Sequence, residues 1–268
     1  GFDRQQAARR SPELGVSRKC GHSTNLLVTN LALSLASALL LVLLFPAFNL
    51  TWLAPVALTP LLIACARETS WRRRWLFGWA AGLVFRCGVC PWIQFVLEAH
   101  GGMGRWGSWG GFALFGLYKG LPMAVFATLA GLLMRRWWAI PAVAALWTGI
   151  ERTHGLFGFA WLDLGNAGIN MPLPMRLAPL TGVYGLSFVF AMLGCAVASV
   201  VLRRPRRELG WLLLLTILIA LPRTPRPQPA SQKALVVQPN IDTELTWTNE
   251  VVREMQQKLA LLSRASGA

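Results

Sequence analysis

From Leu26 onward the chain reads as long apolar stretches separated by short polar breaks. The first stretch, LLVTNLALSLASALLLVLLFPAF, carries no charge. It is about 20 residues long, enough at ~1.5 Å per residue to cross a ~30 Å hydrocarbon core. It lacks a small-x-small cleavage site, which favours a retained span over a secretory leader. Six further candidates follow, at roughly 51–66, 75–97, 109–134, 137–151, 178–202 and 209–222. Lipid offers no partner to an unpaired backbone, so each is expected to be helical. The stretches 137–151 and 209–222 are short for a crossing, as tilted or half-buried segments are.

The pattern changes after Pro222. RTPRPQPASQ, residues 223–232, has three prolines in ten positions and cannot continue a helix. KALVVQPNI then reads as a buried strand ended by Pro-Asn. In NEVVREMQQKLALLSRASG, Val251, Met255, Leu259 and Leu262 fall on one helical face, and Gly267 is a plausible stop. Strand, loop and helix open an α/β domain, and residues 233–268 are too few to bury a core alone. The expected organisation is a basic tail at 1–25, a helical membrane domain at 26–222, a Pro-rich linker at 223–232, and at 233–268 the start of an α/β domain that is cut short. The first residue is Gly1, which fits a processed or incomplete N-terminus.

Composition agrees with a polytopic membrane protein: 54% of residues are hydrophobic and 14% charged. The net charge of +15 invites a nucleic-acid reading. The charges, however, come as Arg bursts between apolar runs and form no stripe on a folded face, so no nucleic-acid partner is expected. Their placement orients the chain. Arg and Lys crowd the tail (Arg4, Arg9, Arg10, Arg18, Lys19) and the connections at Arg67–Arg74, Arg135–Arg136 and Arg203–Arg207. The alternate connections hold only Arg105, Arg152 and Arg176. By the positive-inside bias the tail is cytoplasmic and everything after Pro222 lies outside.

Candidate chemistry inside the spans is sparse. Arg86 and Lys119 are ionisable groups in apolar surroundings, suited to a polar cavity or a lipid headgroup contact; the bland alternative pairs them with a backbone carbonyl or with Glu98. Glu151, Arg152 and His154 sit where the fifth span ends and read most simply as an interfacial ion pair. His22, His100 and His154 have no metal-ligand spacing, and no metal or cofactor is expected. Cys87 and Cys90 form a C-x-x-C before Pro91; without a βαβ context they read as two small apolar residues, with a redox dithiol as the weaker reading. Many of the 13 tryptophans, such as Trp71, Trp75, Trp137 and Trp138, fall at span ends as an aromatic belt does. FGFAWLDLGNAG, residues 157–168, is apolar yet too broken to span, which suggests a surface immersed in the outer leaflet interface. Gly182 and Gly185 allow a close helix or lipid approach.

Several of these pieces recur together. FPAF after the first span, TPLL in the second, ER followed by FGFAWLDLG, LAPLTGVYGLSF, and VVQPNI with Trp247 shortly after stand in one order. Over residues 26–268 the chain resembles the bacterial apolipoprotein N-acyltransferase family. The resemblance implies seven membrane helices, placed in the bacterial inner membrane, leading into an extracytoplasmic nitrilase-like domain. It also implies a Glu–Lys–Cys triad in which the Cys takes an acyl chain from a phospholipid donor as a thioester. A diacylated lipoprotein then accepts that chain on its N-terminal α-amine. No triad member is matched here; all three are expected beyond Ala268, so the 268 residues alone are expected to be inactive. Trp161 matches the Trp of the family's F-P-W loop, and Trp247 an aromatic near the active-site entrance. Phe159-Ala160-Trp161 lacks that loop's proline, and Arg86 stands where a small or apolar residue is expected. A reading from another class is a polytopic transporter or scaffold with a short outer tail, although no internal two-fold repeat is evident.

Overall fold

The computed structural model describes residues 13–154, 162–223, 236–238, 240 and 246–265. Most of the described residues are helical, and among them there is no strand. The chain divides into two units, Gly1–Thr224 and Pro225–Ala268.

The first unit is a helical bundle. Its α-helices are α1 (Glu13–Leu43), α2 (Thr59–Arg67), α3 (Trp71–Val89), α4 (Trp92–Ala99), α5 (Gly104–Lys119), α6 (Leu121–Leu133), α7 (Ala139–Arg152), α8 (Ala178–Val201) and α9 (Ile217–Ala220). Among the described residues, three continuous stretches are long and apolar enough to cross a membrane: Asn25–Leu43, Gly104–Leu133 and Pro174–Val201. The pair α3 and α4 makes a fourth if counted as one span bent by 61°. The bend follows from Pro91, which disfavours helical geometry at Cys90 before it and starts a new helix after it.

The other apolar stretches are not full-length α-helices. Residues 51–66 form a 3-10 helix, Thr51–Val56, and then α2. Residues 137–151 give the 14-residue α7. Residues 209–222 lie mostly in a 3-10 helix, Arg206–Thr216, which runs into α9.

Close packing of α3 on α6 organises the bundle. Gly78 and Gly82 are one helical turn apart on α3. A Cβ on Gly78 would come within 2.5 Å of the Met123 carbonyl oxygen, and one on Gly82 within 2.8 Å of the Gly120 oxygen. Missing side chains let the two backbones approach. At the start of α3 the fully buried Arg74 lies where a Cβ on Gly131 of α6 would collide with it. Its Nε donates to the Cys65 carbonyl at 2.9 Å and its Nη2 to the Glu68 carbonyl, which gives α2's terminal carbonyls a donor. Leu41, Leu58, Leu61, Phe126 and Phe190 fill the core. Leu39, Leu114, Leu132 and Val200 face outward, as expected where the exterior is hydrocarbon.

Two expectations change. Leu162, Leu164 and Ala167, from the broken apolar segment, are buried in the core and are not presented to a lipid interface. Its first residues, 157–161, lie outside the described residues. Within α8, Gly182 has φ +63° and kinks the helix, a backbone setting that favours glycine.

In the second unit, Val236–Gln238 carry no strand; Asn240 is likewise unassigned, and the rest of 233–241 lies outside the described residues. Among the described residues there is no strand with which this segment could share its N–H and C=O groups. The helix expected next is present as α10 (Asn249–Ala265), with Val251, Met255 and Leu259 half-buried and Leu262 exposed.

Replacing Gly78 or Gly82 by Leu is expected to cost about 1–3 kcal/mol each through overpacking. Gly149→Leu, where a side chain meets open space, is expected to be close to neutral. Thermal unfolding in detergent measures all three; a Gly78→Leu chain as stable as the parent would contradict the close α3–α6 contact.

Candidate functional site

Five ionisable residues are buried at one end of α3 and α7: Arg86, Lys119, Glu151, His154 and Asp163. Arg86 comes from the last turn of α3, Lys119 ends α5, and Glu151 lies in the last turn of α7. His154 and Asp163 flank the segment that leads into the 3-10 helix Leu164–Gly168.

Three of them form a chain of hydrogen bonds. Arg86 Nη2 lies 3.2 Å from His154 Nε2, and His154 Nδ1 lies 3.1 Å from Asp163 Oδ1. A guanidinium only donates, so Nε2 accepts from it; Nδ1 then carries the proton and donates to the carboxylate. This assigns a neutral imidazole. Burial pushes the His154 pKa below its ordinary value, against the opposing effect of the Asp163 hydrogen bond.

Glu151 serves a structural purpose beside this chain. Its Oε1 accepts from the Trp147 indole N–H and from the Leu164 backbone N–H, both at 2.7 Å. The carboxylate thereby fastens the start of the 3-10 helix to α7. Ser187 of α8 holds the next residue: its Oγ accepts from the Gly165 N–H at 2.8 Å. The expected Glu151–Arg152 interfacial ion pair is not formed. Glu151 is buried among these donors, and the Arg152 guanidinium sits over the Tyr184 ring, 5.1 Å from its centroid. Glu98 is not Arg86's partner either; it accepts from Gln94 one turn before it.

A cavity of about 400 Å³ opens beside the cluster. Arg86, Lys119 and His154 supply its polar wall, and Leu121, Val125 and Ile150 much of its apolar one. Neither Glu151 nor Asp163 lines it.

The remaining candidates are dispersed. Trp161 lies outside the described residues. Trp247 is exposed in the second unit. Cys87 and Cys90 are both free thiols, and Cys90 is fully buried, out of reach of a redox partner. Among the described residues no group of three or more His, Cys, Asp or Glu could hold a metal ion. Asp163 is the site residue that sequence reasoning missed. The available signal was a carboxylate shortly after Glu151 and His154, in a segment otherwise nearly free of charge.

Comparison with known proteins places this arrangement. The family model described as apolipoprotein N-acyltransferase N-terminal domain matches residues 37–196. A protein named apolipoprotein N-acyltransferase from Geobacter metallireducens is 30% identical over 251 residues, covering 88% of this chain and 48% of the relative. One of the same name from Coxiella burnetii is 28% identical over 236 residues, covering 81% and 47%. Another from Chlorobaculum tepidum is 27% identical over 268 residues, covering 92% and 48%. The chain thus spans about half the length of these relatives. With the family model matched across most of the helical bundle, the chain belongs to the apolipoprotein N-acyltransferase family.

Proposed function

We propose that these residues are the membrane part of an acyltransferase that moves an acyl chain from a phospholipid to the N-terminal α-amine of a diacylglyceryl-cysteine lipoprotein. The observation that carries the reading is the family match over residues 37–196, extended by relatives that align along most of the chain. The chemistry proposed for the whole protein is covalent. A Cys thiolate, with a Glu as base and a Lys helping to hold the oxyanion, attacks the phospholipid ester and takes the acyl group as a thioester, releasing the lysophospholipid; the lipoprotein amine then attacks the thioester, forming an amide and returning the Cys thiol. These roles belong to a nitrilase-like domain, of which residues 233–268 are the proposed opening. Cys65, Cys87, Cys90 and Cys195 do not suit the nucleophile's role, because Cys65, Cys90 and Cys195 are buried in the bundle and Cys87 packs toward Gly116. Trp161 and Trp247 are the proposed substrate-side aromatics.

The proposed setting is the bacterial inner membrane, with seven crossings, a cytoplasmic N-terminus and the Pro-rich exit on the outer face. Arginine placement supports this orientation. The last proposed crossing is the short stretch 209–222, most of it in the 3-10 helix Arg206–Thr216 and α9. Arg176 Nη1 donates to the carbonyls of Leu218 and Ile219, which partners otherwise open groups at the end of that segment.

Two outcomes are expected. Incubated with phospholipid vesicles and a diacylated lipopeptide, the 268-residue chain should leave the peptide's α-amine free by mass spectrometry; an acylated peptide would overturn the placement of the triad. A phosphatase reporter that is active only outside the cytoplasm should be active when fused after Gln232; activity only from a cytoplasmic reporter would overturn the orientation.

A further inference from the structure

Arg86 is 5% exposed, yet its Nη1 has no hydrogen-bond partner. Nη2 is committed to His154, and one flank of the guanidinium lies against the Phe85 ring, 5.1 Å from its centroid. Such a group keeps its charge, and a buried donor left unmade is costly. Arg86 also lines the 400 Å³ cavity, as does Lys119. Neither acidic neighbour lines this cavity: Asp163 accepts from His154, and Glu151 Oε1 accepts from Trp147 and Leu164. The cavity therefore presents two cations and no carboxylate, the arrangement that suits an anion.

The rest of the wall says which anion. Leu121 and Val125 are both cavity walls and outward-facing residues of the α5–α6 surface, each 38% exposed. An opening lined by such residues meets hydrocarbon in a membrane. A free phosphate would have to leave water to reach it, whereas a lipid arrives with its chains already in place.

We propose that Arg86, with Lys119 beside it, holds the phosphate of a membrane phospholipid whose acyl chain lies along Leu121, Val125 and Ile150. Nη1 supplies the charge-assisted hydrogen bond and Lys119 a second point charge. The inference deepens the acyl-donor reading and rests on it for the membrane setting. Binding is read without any acyl transfer, so loss of lipid retention and absence of transfer are separate results.

The test is native mass spectrometry of the 268-residue chain in detergent, titrated with phosphatidylglycerol, with diacylglycerol of the same chains, and with inorganic phosphate. The expected result is retention of phosphatidylglycerol over both others. Arg86→Met should weaken that retention about tenfold or more, and Arg86→Lys should restore part of it. Val125→Trp fills the apolar wall at a partly exposed position. It should also weaken retention, which guards against a fold defect in the Arg86→Met chain. Equal retention by the parent and both weakened variants would overturn the proposal, as would inorganic phosphate or diacylglycerol binding as tightly as the phospholipid.

Discussion

The contact between α3 and α6 is the constraint on which the rest of the bundle depends. Hydrocarbon gives no hydrophobic reward for helix association, so helices in a membrane must gain from close packing and from internal hydrogen bonds. Gly78 and Gly82 provide the first, and Arg74 provides the second. The same glycines explain how a helix can carry guanidinium groups near both ends. With the α3 and α6 backbones close, Arg74 is walled in by Gly131 at one end, and Arg86 reaches across to His154 near the other.

That geometry also explains why the candidate site is assembled from segments distant in sequence. Arg86, Lys119 and the segment around His154 and Asp163 belong to different parts of the chain, and each is fixed independently. Lys119 ends α5 where Gly120 packs against the backbone of α3, 3.0 Å from the Trp79 oxygen to a built Cβ. The Glu151 carboxylate and the Ser187 hydroxyl hold Leu164 and Gly165 by their backbone N–H groups, which sets the position of neighbouring Asp163. Loss of the Glu151 acceptor would leave two buried N–H donors unpaired, each at about 1–3 kcal/mol. The carboxylate is thus a structural acceptor that shapes the polar end of the bundle.

The apolar runs made the membrane class legible in the sequence, and the arginine bursts supplied an orientation. What could not be read was the internal break-up of those runs. Hydropathy sums over a window and does not see that Pro91 splits 75–97 into two helices, or that 206–216 winds as a 3-10 helix. Gly78 and Gly82 spell a small-xxx-small pattern that was visible and was not singled out. Arg86 and Lys119 stood out as charges in apolar text, but their partners did not. His154 and Asp163 are far from Arg86 in sequence, and only the fold brings them together. The terminal strand is signalled by a β-branched run, and such a run needs neighbouring strands, of which there are none among the described residues.

The direction of the polar chain follows from one chemical fact. Arginine has five N–H donors and no acceptor. Placed against His154 Nε2, it forces that nitrogen to accept, which puts the imidazole proton on Nδ1 and makes Asp163 its acceptor. Burial, which lowers the His154 pKa, favours the same neutral tautomer. The two hydrogen bonds along this path then run in a single sense, from guanidinium through imidazole to carboxylate. The donor on this path without a hydrogen-bond partner is Arg86 Nη1, and Arg86 is one of the residues that line the cavity. The carboxylate charge lies at the far end, separated from the cavity by the imidazole. The Asp163 charge thus compensates the guanidinium through the imidazole, from a position that does not line the cavity.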